Sequence, residues 1–200
     1  MIVLAGSLIY AVYMNTNIIP YPVSGRILLL VSPVSTLNTL FDLIARLALQ
    51  NNLYILDGGN AFQGYTLASA LRRRTPDIAS PMQRVLLSRA FTCYQMSVLL
   101  SEEHFEPYPI VILDFLSTFY DQSVHAGERR RLLTGCIRRL QALSRQAPVA
   151  VWVRQRSVIP EDALPFLEIL KQSAGQVWYP PRPAVAAAPQ QLALIPDEVK

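Results

Sequence analysis

Short unbroken apolar runs alternate along this chain with longer segments whose apolar positions recur every three or four residues. "GRILLLV", residues 25–31, is continuous enough for a buried strand, and "FDLIARLALQ" then places Phe41, Ile44, Leu47 and Ala48 on one side of a helix. "NNLYILDGGN" reads as a short strand closed by a turn, and "YTLASALRRR" as an amphipathic helix with Leu67, Ala70 and Leu71 inward. Thr75-Pro76 ends that helix, because proline disfavours helical geometry in the residue before it. Strand character returns in "RVLLSRAFT", helix in "CYQMSVLLSE", and "PIVILDFLSTF" carries a β-rich run ending in an aspartate, suited to a central strand covered on both faces.

The longest predicted helix runs from Glu128 to Gln146, with Leu133, Cys136, Ile137, Leu140 and Leu143 on one stripe. "PVAVWVRQR" is the next strand, and "EDALPFLEILKQ" a last helical piece interrupted by Pro165. Strands alternating with helices predict an α/β fold, a mostly parallel central sheet with helices on both faces. Ligands bind such sheets beyond the carboxyl ends of the strands. There the loop at 32–38, the turn from Asp57 to Asn60, Asp114 and Gln155 converge.

Three regions follow from this pattern. Residues 1–24 form an apolar segment packing on the core, residues 25–179 the core domain, and residues 180–200 a mobile Pro/Ala-rich tail. The opening "MIVLAGSLIYAVYM" lacks a basic flank and stops short of the roughly 20 apolar residues that span a bilayer, so no membrane span is expected. The chain has 200 residues, 52% of them hydrophobic, which supports one domain with a full core. The two cysteines, Cys93 and Cys136, and the two histidines, His104 and His125, support neither a disulfide framework nor a zinc site. The formal charge is +4 and nearly all the positive charge is arginine, whose planar fork suits phosphate and carboxylate partners.

The order of "LYILDGGNAF", "RVLLSRAFTCYQMSVLL", "PIVILDFLSTFYDQSV" and "APVAVWVRQ" resembles the ATPase core of the RecA/RadA recombinase superfamily over roughly residues 25–156. The resemblance implies a RecA-like P-loop NTPase fold. It places a phosphate-binding loop, G-x-x-x-x-G-K-[S/T], after the first strand, where backbone amides and the lysine grip phosphates and the hydroxyl holds magnesium. Here those eight positions read Ser32, Pro33, Val34, Ser35, Thr36, Leu37, Asn38 and Thr39. Both glycines are gone, and Asn38 in place of lysine removes a charge-assisted bond worth about 1.5–3 kcal/mol. Gly59 stands where the family carries the glutamate that activates water, and the neighbouring Asn60 is no general base. Asp114 keeps the Walker B position and Gln155 that of the γ-phosphate sensor.

The resemblance therefore implies a recombinase paralogue without ATPase activity, acting as a DNA-binding or recombinase-binding accessory factor in recombination and repair. Its degenerate nucleotide site would comprise Ser35, Thr36, Asn38, Thr39, Asp114 and Gln155, with no catalytic residue. The cofactor is none or weakly bound Mg-ATP, its metal held by Thr39 and Asp114 only if Mg-ATP binds. Loops of the family that approach DNA correspond to "TFYDQSVHAGERRR" and the stretch from "RQRSVIP", so Arg129, Arg130, Arg131, Arg154 and Arg156 are the expected phosphate contacts. Phe119 and Tyr120 are the expected stacking faces for single-stranded DNA. Arg131, Arg138 and Arg145 recur every seven residues as a basic ridge opposite Leu133 and Leu140. A cytoplasmic location, or a nuclear one in a eukaryote, accompanies this reading. Two alternatives remain: an unorthodox ATPase that binds nucleotide through its loop backbone, and an interaction scaffold that touches neither nucleotide nor DNA.

Overall fold

The computed structural model describes residues 18–102 and 104–181. Six parallel strands form one sheet: β1 (Ile27–Ser32), β2 (Leu53–Asp57), β3 (Val85–Arg89), β4 (Ile110–Leu113), β5 (Val149–Arg154) and β6 (Gln176–Trp178). Their spatial order is β3-β2-β4-β5-β1-β6, so β5 lies between β4 and β1. The strand β6, which hydrophobic patterning left unassigned, pairs in parallel with β1 as a short edge.

Among the described residues six α-helices cover the sheet: α1 (Leu37–Gln50), α2 (Gly64–Arg72), α3 (Ala79–Gln83), α4 (Cys93–Glu102), α5 (Ala126–Ser144) and α6 (Pro165–Ser173). Parallel strands require crossovers, and right-handed crossovers put helices on opposite faces according to the direction in which the chain steps across the sheet. Steps from β1 to β2 and from β2 to β3 leave α1, α2 and α3 on one face. Steps in the other direction leave α4, α5 and α6 on the second. Alternate strand residues feed two cores accordingly. Leu28, Leu30, Ile55 and Trp152 pack with Phe41, Ile44 and Leu67 on one side, whereas Leu29, Val31, Leu56 and Val151 pack with Leu133, Ile137 and Leu140 on the other.

Two sequence expectations change, and a third is met within a residue. The strand in "PIVILDFLSTF" runs as far as Leu113, next to the expected aspartate end. Asp114 adopts the left-handed conformation (φ 47°, ψ 50°) and turns the chain into a 3-10 helix over Phe115–Phe119. Pro165 does not interrupt a helix but begins α6, where its missing N–H leaves no bond unmade. The expected helix start at Glu128 moves to Ala126, because the His125 side chain accepts a hydrogen bond from Gly127 N at 3.2 Å and caps the turn. Ile19 is buried in the α1 side of the core, and Arg46 Nη2 donates to its carbonyl at 2.9 Å. Residues 1–17 and 182–200 of the expected terminal regions lie outside the described residues.

Candidate functional site

All six strands point their carboxyl ends the same way, and the side chains at those ends meet there. Asp114, just beyond β4, is fully buried. Two arginines following β5 close on it. Arg156 Nη2 lies 2.9 Å from Oδ2 and also donates to Ser117 Oγ at 3.0 Å. Arg154 Nε approaches the same Oδ2 at 3.0 Å as an ion pair, at an angle that makes no hydrogen bond, while Arg154 N donates to Oδ1 at 3.3 Å. One carboxylate thus faces two guanidiniums, each still about a third exposed. The cluster carries a net +1. Aromatic faces back both arginines: Arg156 sits 5.6 Å from the Tyr120 ring centroid and Arg154 5.8 Å from that of Trp152. Burial beside this cluster pushes the Tyr120 hydroxyl up to about 12, with Arg156 pulling in the opposite sense.

The loop after β1 is wound into a 3-10 turn over Val34–Thr36. Its amides bond inward: Thr36 N donates to Pro33 O at 3.1 Å and Leu37 N to Val34 O. Pro33 has no N–H at all. The Ser32 side chain is engaged from both sides, accepting from Trp152 Nε1 at 2.9 Å and from Thr36 Oγ1 at 2.7 Å. A phosphate cradle needs successive amides converging on one point in space. This turn spends those of Thr36 and Leu37 on its own carbonyls.

Asp57 at the end of β2 is 1% exposed and serves the following turn. It accepts from Ala61 N at 2.8 Å, Phe62 N at 3.0 Å and Gly59 N at 3.3 Å, and Arg89 Nε lies 3.5 Å away. A Cβ on Gly59 would sit 2.5 Å from Asp114 Cβ and 2.7 Å from its Cγ, so the β2 turn and the Asp114 turn touch through a position that admits no side chain. The glutamate that the resemblance places at this position has no room. Asn60 takes a left-handed conformation (φ 50°) on the exposed side of the turn.

The expected nucleotide residues are scattered by these contacts. Ser35 and Asn38 are exposed, and Asn38 lines a polar cleft of about 480 Å³ between α1 and α2 with Asp42, Tyr65, Thr66 and Arg73. Thr39 lies half-buried within α1. Gln155 is exposed, its backbone N–H donating to Ser32 O at 2.9 Å. A magnesium-bound triphosphate does not fit this constellation: the Thr36 and Leu37 amides are bonded within the turn, the Thr36 hydroxyl bonds within its own loop, and Asp114 is held by two cations where a metal would need it open. Among the described residues no group of three or more His, Cys, Asp and Glu side chains is arranged to hold a metal ion.

The expected DNA contacts are also redistributed. Arg129 is 1% exposed and structural, not a phosphate contact: its Nη1 donates to Phe119 O at 3.1 Å, its Nη2 pairs with Asp162, and its guanidinium stacks on Phe166. Phe119 is fully buried against Phe115 and offers no face to a base. Tyr120 is half-buried under Arg156. Arg154 and Arg156 are committed to Asp114, and Arg131 to Glu128 in an exposed pair at 2.7 Å. Arg130 and Arg138 remain exposed along α5 and Arg145 just past its end, while Arg139 turns inward to the Leu100 carbonyl.

No protein-family model and no curated protein matches this chain. The class of protein that the fold defines is α/β with an all-parallel six-stranded sheet. Among the described residues no helix is long and apolar enough to cross a membrane.

Proposed function

We propose that this chain is a divergent RecA/RadA-like recombinase paralogue that neither binds nor turns over ATP and acts as an accessory factor in DNA recombination and repair. The RecA-like assignment rests on the sequence resemblance, and the parallel sheet with helices on both faces is compatible with it. One observation carries the non-enzymatic reading: Asp114, the residue that would serve a magnesium ion, is sealed beneath Arg154 and Arg156. Side-chain cations supply the positive charge that a metal would otherwise bring to Asp114. Function then resides in surfaces that bind an active recombinase or single-stranded DNA.

Where DNA is concerned, the exposed arginines Arg130 and Arg138 on α5 and Arg145 just past its end support contact better than the buried or paired arginines do. Titration of the chain with Mg-ATP in a calorimeter, beside binding of a labelled single-stranded oligonucleotide across a salt series, tests this reading. No heat with Mg-ATP, together with salt-sensitive oligonucleotide binding or co-elution with a purified recombinase, is the expected result. Saturable Mg-ATP binding that Asp114→Asn abolishes would replace it with the unorthodox ATPase. Binding of neither DNA nor recombinase would leave the scaffold reading.

A further inference from the structure

A separate cleft opens at the amino end of the sheet, opposite the end where Asp114 stands. It lies where β1 and β6 begin and α5 and α6 finish, and has a volume of about 300 Å³. Arg26, Gln141, Ser144, Arg145 and Ser173 line it beside Gly25 and Gly175. Among the described residues its charged lining consists of the two arginines, both exposed, and neither has a carboxylate within salt-bridge distance. Like charges lining one cleft repel each other, so an anion placed between them is stabilised.

An arginine at a helix C-terminus ordinarily answers the last carbonyls of that helix. At the end of α5 other donors answer them. Gln141 O accepts from Ser144 Oγ at 2.9 Å, Ala142 O from Arg145 N at 3.3 Å, Leu143 O from Gln146 N at 2.9 Å, and Ser144 O from Gly25 N. The Arg145 guanidinium is therefore left over from capping. Arg26 is held in place from below. A Cβ on Gly175 would sit 2.5 Å from Arg26 Cβ and 3.3 Å from its Cδ, so the arginine stem lies along a position that admits no side chain.

We propose that this cleft binds a phosphate ester of a sugar, with Arg26 and Arg145 as the phosphate contacts. Arginine's planar fork matches phosphate oxygens. The rest of the lining suits hydroxyl groups. Ser173 Oγ donates to Ile169 O at 3.0 Å and keeps lone pairs that accept from a hydroxyl, while the exposed Gln141 amide both donates and accepts. A volume of about 300 Å³ stands at the small end of ligand pockets and fits a single sugar phosphate unit. That unit exists free in solution and as the repeating link of a nucleic-acid strand. The site does not rest on the accessory-factor reading: Arg26 lies outside the group of α5 arginines, and the cleft is at the far end of the sheet from Asp114.

Titration of the isotope-labelled full chain with ribose 5-phosphate, followed through backbone amide shifts, tests the proposal. Saturable shifts centred on Gly25, Arg26 and Gly175 are the expected result. Arg26→Gln and Arg145→Gln should each weaken the apparent Kd about tenfold. Arg72→Gln removes the same charge from the exposed end of α2 and should leave the Kd unchanged. Absence of saturable shifts at the cleft, or equal weakening by all three substitutions, overturns the proposal. Gluconate, a polyol carboxylate, binding as tightly as ribose 5-phosphate overturns the assignment to phosphate. A single-stranded oligonucleotide that displaces ribose 5-phosphate supports the site and assigns it to a strand, whereas failure to displace a bound ester supports the site and assigns it to a free one. Oligonucleotide binding with no shift at the cleft overturns this proposal and leaves the DNA reading standing.

Discussion

Arg156 Nη2 stands 2.9 Å from Asp114 Oδ2, and the carboxylate it holds is fully buried at a left-handed backbone position. Asparagine tolerates that backbone geometry, so Asp114→Asn removes the charge without adding backbone strain. Two guanidiniums then lose the only anion they meet among the described residues. The expected loss is about 3 kcal/mol of unfolding free energy in urea, because a broken buried pair leaves its partners uncompensated. An equal melt for wild type and variant would show the cluster to be structurally idle.

Gly59→Ala places a Cβ 2.5 Å from Asp114 Cβ, a separation at which one turn must move. Overpacking of this kind destabilises by about 1–3 kcal/mol. Gly64→Ala is the control, since the nearest contact to its new Cβ is 4.0 Å away. Denaturation midpoints of the two variants should differ, Gly59→Ala being the lower.

Burial holds the Tyr120 hydroxyl at about 12, above its ordinary value of 10.0. A raised acid constant in the folded state means that the folded chain retains the proton more tightly than the unfolded chain does. Its contribution is therefore complete below pH 10 and is lost as pH rises from about 10 towards 12. Tyr120→Phe should flatten the fall in stability over that window, as followed by circular dichroism. An unchanged alkaline profile would contradict the buried setting.

Arg129 and Arg130 are adjacent in sequence and opposite in role. Arg129→Ala abandons Asp162 and the Phe119 carbonyl from inside the core and should cost about 3 kcal/mol. Arg130→Ala, on the surface, should stay within about 0.5 kcal/mol. A combined change of Arg129, Arg130 and Arg131 would confound folding with binding. Changing Arg130, Arg138 and Arg145 to alanine avoids this, and loss of three phosphate contacts should flatten the salt slope on single strands by about 2.

Much of the architecture was legible because period carries it. The inward positions Leu67, Ala70 and Leu71 of α2, and the stripe on α5, follow from spacing alone. The site was less legible. Asp114, Arg154 and Arg156 stand 40 and 42 residues apart in sequence and meet only because β4 and β5 are neighbours. An Arg-x-Arg at the end of one strand beside an aspartate at the end of the next was the available signal, and it could be read only once strand order was known. Arg129 misled for a different reason. Its neighbours Arg130 and Arg131 are exposed, and a charge run gives no sign that the helix turns one of its members inward. β6 escaped notice because three residues are too few to establish a period.

The pairing of Asp114 with Arg154 and Arg156 also bears on timing. A nucleotide-driven protein can keep time, holding a partner before hydrolysis and releasing it afterwards. A chain whose cations are covalently its own has no spent form and no recharge. On the function proposed above, its associations are governed by concentration and by whatever competes for its surfaces, which would make it a standing component of an assembly and not one of its clocks.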